Sequence, residues 1–148
     1  MSHFVLGADH AGFLLKNAIG EYLLGLGHEV TDLGTNSADR VDYPDFGAAV
    51  GRAVAGGEGD LGVLVCGSGL GICIAANKVP GVRAATVHDF TSAHLAKEHN
   101  DVNVICLGER LTTHTVALDI IDAFLAATFE GGRHTGRVAK IDALLPRR

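Results

Sequence analysis

The segment Cys66-Gly67-Ser68-Gly69-Leu70-Gly71 concentrates the chemistry of this sequence. It follows an apolar run and opens a helix-like one, so its backbone N–H groups can turn toward an anion. A cysteine there sees several N–H dipoles and a helix start, which would lower its pKa and make it a base or nucleophile. The alternative is that Cys66 ends a buried strand and packs as a small apolar side chain; the local pattern leaves both open. Cys73 and Cys106 lie on apolar patterns and are expected to pack. Three cysteines without a CxxC pair signal neither zinc nor a disulfide framework. Free thiols fit a reducing cytoplasm.

Other chemistries fail on single letters. A dinucleotide fingerprint needs a glycine at position 72, which is Ile, and no Walker loop is present. A cysteine phosphatase would need an arginine at that same position. A serine-hydrolase elbow is one residue out of frame.

The histidines number 8. His10 follows the first apolar run, His99 ends a helical stretch, and His134 lies between Arg133 and Arg137. His3, His28 and His114 are expected at the surface or at strand edges. Arg133 and Arg137 are spaced i, i+4, so one helical face can offer two guanidinium forks to a phosphate. A solvated basic tail is the competing account. No His, Asp or Glu cluster has metal spacing, so no metal and no other cofactor is expected. From the residues alone the protein is an enzyme acting on a small phosphorylated molecule, with a thiolate and an N–H cradle.

The elements that must position these residues alternate regularly. Strands are expected at 4–8, 28–33, 61–66, 82–88 and 102–107. Helices are expected at 14–26 closed by Gly27, 46–54 closed by Gly56-Gly57, 72–78, 90–98 capped by Asp89, 116–125, and 138–145. Buried β-branched runs between amphipathic helices predict an α/β fold. It is a single-domain, three-layer α/β/α sandwich over residues 1–148, with a five-stranded parallel Rossmann-like sheet. In such sheets ligands bind beyond the carboxyl ends of the strands, where the strand order reverses. That edge would carry Asp9-His10, Asp42-Tyr43, Cys66-Gly67-Ser68, His88-Asp89 and Glu109-Arg110.

Composition agrees and excludes other classes. The 148 residues are 47% hydrophobic and 20% charged, which excludes a disordered chain. A net charge of -5, 5% aromatics and no Trp argue against nucleic-acid partners. No apolar run is long enough for a membrane span, and the first residues lack the pattern of a signal peptide. A cytoplasmic location is expected.

Several further segments extend the pattern: Gly7-Ala8-Asp9-His10-Ala11-Gly12, Val41-Asp42-Tyr43-Pro44-Asp45-Phe46, Ile74-Ala75-Ala76-Asn77-Lys78, Pro80-Gly81-Val82-Arg83-Ala84-Ala85, Glu98-His99-Asn100-Asp101, Leu107-Gly108-Glu109-Arg110 and Arg133-His134. With the cysteine loop, they make the sequence similar to the B-type ribose-5-phosphate isomerases, a family that includes galactose-6-phosphate and allose-6-phosphate isomerases. The resemblance spans nearly the whole chain.

It implies metal-free interconversion of an aldose phosphate and a ketose phosphate through an enediolate. Cys66 would move a proton between C2 and C1, and Ser68 a proton between O1 and O2. The N–H groups from Gly67 through Gly69 to Gly71 would hold the enediolate oxygen. His99 would open the furanose, with help from Asp42 at the anomeric hydroxyl. His10, Arg110, Arg133 and Arg137 would hold the phosphate, and Asp9, Tyr43 and Asn100 the sugar hydroxyls. One branch of the family uses a glutamate base on the loop where this chain has Ile72, so the chain resembles the cysteine branch. The family's sites lie between two subunits, with His99 and Asn100 reaching across; the expected assembly is a homodimer with shared sites, or a tetramer of such dimers. Ribose 5-phosphate is the leading substrate. Allose 6-phosphate, galactose 6-phosphate, a tetrose phosphate, and a non-catalytic phosphosugar-binding protein are the alternatives.

Overall fold

The apolar runs of β-branched and aliphatic residues form strands because both of their faces can be buried at once. The computed structural model describes residues 1–147. In chain order the elements are β1 (His3–Ala8), α1 (Phe13–Gly25), β2 (Glu29–Asp32), α2 (Tyr43–Ala55), β3 (Leu61–Cys66), α3 (Gly71–Ala76), β4 (Ala84–Thr86), α4 (Phe90–Asn100), β5 (Val104–Gly108), α5 (His114–Ala126) and α6 (Arg133–Leu144). The sheet is parallel throughout, in the order β2-β1-β3-β5-β4. The chain leaves β1 in one direction and returns past it to β3, so the order reverses between those two strands.

The pleat sorts side chains with period two. Phe4, Leu6 and Ala8 of β1, Val63 and Val65 of β3, and Ile105 and Leu107 of β5 share a core with α1, α4 and α5. Val5, Leu64, Cys66, Val104 and Cys106 face the other way, onto α2 and α3. The three expected layers are present.

Several boundaries shift by a few residues from the sequence reading, and two of the shifts have a clear physical cause. β4 covers three residues rather than 82–88, because Val82 closes a turn onto the Val79 carbonyl and Arg83 serves Asn103 before pairing begins. α6 starts at Arg133, not at 138, because burial of His134 and Val138 recruits the first turn into the helix. Asp89 caps α4 as expected, in a capping box with Ser92. No helix among the described residues is long and apolar enough to cross a membrane.

One buried charge ties the site-bearing loop to the core. Lys16 on α1 is 0% exposed. Its Nζ donates to Asp32 Oδ2 at 2.6 Å, Asn36 Oδ1 at 2.8 Å and Asn17 Oδ1 at 3.0 Å. The ammonium therefore fastens the end of β2 and the start of the 33–42 loop to α1. Lys16→Met removes the charge and leaves oxygens that water can reach. Asp32→Asn instead leaves a buried ammonium without its counter-charge. Asp32→Asn is expected to cost about 3 kcal/mol, the low end for breaking a buried pair, because the Asp32 side chain is 35% exposed. Urea unfolding should show it to be the costlier of the two; the reverse order would overturn this account.

Candidate functional site

The carboxyl ends of β1 and β3 part at the reversal point, and a cleft of about 380 Å³ opens there. From the β1 side it is lined by Asp9, His10 and Ala11. Cys66, Gly67, Ser68 and Gly71 come from the β3 side, Tyr43 from the start of α2, and Arg110 and Leu111 from the turn after β5. Eight residues singled out from sequence thus meet in one place. Ala11 and Leu111 were not anticipated; apolar lining residues carry no signal of their own in the sequence.

Backbone bonds hold the walls together. The Asp9 N–H donates to the Val65 carbonyl at 3.2 Å, and the Asp9 carboxylate accepts the Ala11 N–H at 2.9 Å. The Glu109 and Arg110 N–H groups donate to the Cys66 and Gly67 carbonyls, each at 3.0 Å, which brings the Arg110 guanidinium against Gly67. Glu109 turns away and caps the first turn of α1 through the Leu15 N–H at 3.1 Å. His10 Nδ1 accepts the Val41 N–H at 3.2 Å, so in the neutral ring the proton is on Nε2. Gly69 has φ +75°, and a Cβ there would lie 2.7 Å from the Leu107 carbonyl carbon. Only glycine fits that turn.

Cys66 is 4% exposed. Its Sγ accepts the Gly69 N–H at 3.2 Å, the contact a thiolate needs when it leaves water. The same bond corrects the expected cradle. The Gly69 N–H is taken by the sulfur, and the Leu70 N–H donates to Ser68 Oγ at 3.2 Å. Neither is free for an enediolate oxygen. Gly67 and Gly71 remain against the cleft, with the Tyr43 ring over Gly71.

Cys73 and Cys106 lie behind this wall and outside the cleft. Cys73 is brought down to about 6 chiefly because the Cys106 thiol donates to it, while burial opposes. Burial pushes Cys106 well above the ordinary thiol value, and the proton it shares with Cys73 adds to this. Both pack in the core shared with α2 and α3, as expected from the sequence.

The remaining expected residues sit elsewhere on the chain. Asp42 is the residue before α2 and does not line the cleft. Asp89 is spent on capping α4: the Ser92 N–H holds its carboxyl below the ordinary value. Asn100 lines a separate cavity of about 430 Å³ with Arg83 and Ile141. His99, Arg133 and Arg137 stand on α4 and α6, again outside the cleft. The two arginines are exposed, as a partly solvated face would be. His99 stacks on His134 at 4.3 Å with 15° between the planes. Burial lowers the His134 pKa, with Arg133 as the next cause, so that ring is neutral.

His99, Glu130 and His134 bring three donor atoms within 4.8 Å of one another, a grouping the sequence spacing did not reveal. Stacked imidazoles aim their in-plane lone pairs side by side rather than at one point, and Arg133 adds positive charge. Those features suit an anion better than a metal ion.

The comparisons with known proteins agree with this geometry. Residues 4–141 match the family model described as Ribose/Galactose Isomerase. The chain is 48% identical to the ribose-5-phosphate isomerase B of Escherichia coli over 148 residues, covering 100% of this chain and 99% of that one. A solved ribose-5-phosphate isomerase B from Clostridium thermocellum superposes with a TM-score of 0.95 at 50% identity, covering 96% of each chain. The Mycoplasma genitalium enzyme, solved with bound ribulose-5-phosphate, gives 0.92 at 44% identity over 96% of this chain and 95% of that one. A match of this extent, in sequence and in backbone, places the chain in the ribose/galactose isomerase family.

Proposed function

We propose that this protein interconverts ribose 5-phosphate and ribulose 5-phosphate, with Cys66 as the base, at a site that two copies of the chain complete together. One observation carries the reading. The Cys66 sulfur, under the Gly69 N–H at 3.2 Å, opens into a cleft that also holds Ser68, His10 and Arg110. The names of the Escherichia coli and Clostridium thermocellum relatives, and the ribulose-5-phosphate in the Mycoplasma genitalium structure, support the substrate.

The steps follow from the lining. The Cys66 thiolate takes the proton from C2 of the open-chain aldose, and the electron pair moves into an enediolate. The Ser68 hydroxyl passes a proton between O2 and O1. The Cys66 thiol then returns its proton to C1, giving the ketose and restoring the thiolate. The Gly67 and Gly71 backbone steadies the enediolate oxygen, and Arg110 with His10 Nε2–H steadies anionic oxygens. His99 opens the furanose before the first step, and Arg133 and Arg137 bind the phosphate.

The last three residues lie outside the cleft of their own chain, so on this reading they belong to the cleft of the other copy. Exposed apolar side chains on α3 and at the start of α4, Ile74 and Phe90, offer contact area for that copy. A galactose-6-phosphate isomerase subunit of Clostridium acetobutylicum is 45% identical over 95% of this chain and 82% of that one. Hexose phosphates are therefore the second substrate reading. A coupled assay of the pure protein on ribose 5-phosphate, allose 6-phosphate and galactose 6-phosphate, with and without chelator, separates them. Ribose 5-phosphate should be turned over fastest, and chelator should change nothing.

Cys66→Ala should lower kcat by at least about 10²-fold, the low end for losing a positioned base, while sugar-phosphate affinity stays within a few-fold. A variant that keeps most of its kcat removes Cys66 from the mechanism. Cys73→Ala should leave kcat within about twofold and cost about 1 kcal/mol of stability in urea.

Sharing is tested by mixing dead variants. Cys66→Ala supplies a good His99, and His99→Ala a good Cys66. Random mixing makes about half the dimers hybrid, each with one intact site in two, so roughly a quarter of wild-type activity should return if the pair is a symmetric dimer. Mixtures no better than their parents, with hybrids confirmed by mass spectrometry, would place both residues in one subunit's site.

A further inference from the structure

Glu130 belongs to no element and was not singled out from sequence, yet it joins two of the expected site residues. One carboxylate oxygen, Oε2, lies 3.9 Å from His99 Nε2, and the other, Oε1, lies 3.5 Å from an Arg133 Nη. The side chain is placed by its own backbone: the Glu130 N–H donates to the Glu98 carbonyl at 2.9 Å. The Glu130 backbone is thereby held beside Glu98, one residue from His99, although the two are far apart in the chain.

His99 is constrained from a second side. The ring of His134, 6% exposed, stacks on it at 4.3 Å and fixes the plane of the imidazole. A stack still allows a half-turn flip about the Cβ–Cγ bond, which keeps the plane and exchanges the two edges of the ring. A carboxylate facing one nitrogen removes this freedom and decides which nitrogen carries the proton toward it. His99 stands in the last turn of α4. Glu130 stands between the His99 ring and the Arg133 guanidinium, facing each with one carboxylate oxygen. Both rings and the carboxylate are thus arranged to present one edge of His99 outward in a single orientation.

We propose that Glu130 is a positioning residue for the reaction: by facing Nε2 it orients the His99 imidazole so that the other ring nitrogen, Nδ1, delivers its proton to the furanose ring oxygen. This rests on the reading of His99 as the ring-opening acid given above. The chemistry needs such a partner. As the C1–O4 bond breaks, O4 takes the bonding pair and the proton from His99, while the anomeric hydroxyl forms the C1 carbonyl and loses its proton to solvent water. The first transfer needs the acid aimed along an O4 lone pair, where a ring free to flip spends less time.

The test is a double-mutant cycle on full-length protein, with ribose 5-phosphate turnover and the inhibition constant of an acyclic phosphorylated hydroxamate as the two readouts. The hydroxamate mimics the enediolate and needs no ring opening. Glu130→Gln, which keeps shape and loses charge, should lower kcat about tenfold and leave hydroxamate inhibition within twofold. Glu130→Asp should recover part of the lost kcat. In a His99→Ala background, Glu130→Gln should cost nothing further, because a residue that acts through His99 has nothing left to act on. Three results would overturn the proposal: kcat unchanged in Glu130→Gln, full additivity of the two substitutions, or a KM rise with hydroxamate binding lost in parallel, which would assign Glu130 to the phosphate site through Arg133. If His99→Ala itself keeps wild-type kcat, the ring-opening role of His99 fails, and the proposal falls with it by a separately visible route.

Discussion

The parallel register of β3 between β1 and β5 is the constraint on which the rest of the site depends. Ala8 pairs with Val65, and Cys66 pairs with Gly108, so the residues after each strand emerge at the same height. The two following turns are so close that side chains are excluded between them. A Cβ on Gly12 would overlap the Val65 carbonyl, and one on Gly108 would lie 2.5 Å from the Ser68 carbonyl carbon. A slip of one residue would turn Cys66 to the opposite face and separate it from Asp9 and Arg110. The thiol, the carboxylate and the guanidinium therefore share a cleft because backbone hydrogen bonds leave them no other height.

Around that wall the chain places charge with economy. Lys16 is neutralised internally and lends its bonds to the loop that carries Val41, whose N–H in turn orients His10. Glu109 is used to cap α1 and Asp89 to cap α4. Besides Asp9, whose carboxylate accepts the Ala11 N–H, the polar groups at the cleft have hydrogens to donate or a proton to take: His10, Ser68, Arg110, Tyr43 and Cys66. A cleft of that character favours an anion with hydroxyls, which describes a sugar phosphate.

The α4–α6 end has the complementary character. It presents two exposed arginines and a stacked histidine pair with one carboxylate, none of which lines either of the two cavities described above. On the proposed reading each end alone is half of a binding site: one has Cys66 and the pocket, the other has Arg133, Arg137 and His99. The proposed pairing of copies unites the halves, and it would also cover exposed apolar side chains such as Ile74 and Phe90.

Strand and helix alternation, the layer architecture and the cysteine loop were legible in the sequence because they are local. Apolar period, capping residues and glycine turns act over a few residues, and the helix N-cap at Asp89 shows how far that reaches. The loop Cys66 to Gly71 announces itself for the same reason. The tertiary structure alone decided which loops meet. It brought Asp9, Tyr43 and Arg110 to Cys66 while leaving Asp42 outside, since strand order and register depend on long-range pairing that no local pattern encodes. It also spent the Gly69 N–H on the Cys66 sulfur, a detail of turn geometry. Glu130 and Lys16 were invisible for a related reason. An isolated charged residue reads as surface until packing buries it, as with Lys16, or sets it against a distant histidine, as with Glu130. What a charge does is settled by its neighbours in space, and those neighbours are chosen by the fold.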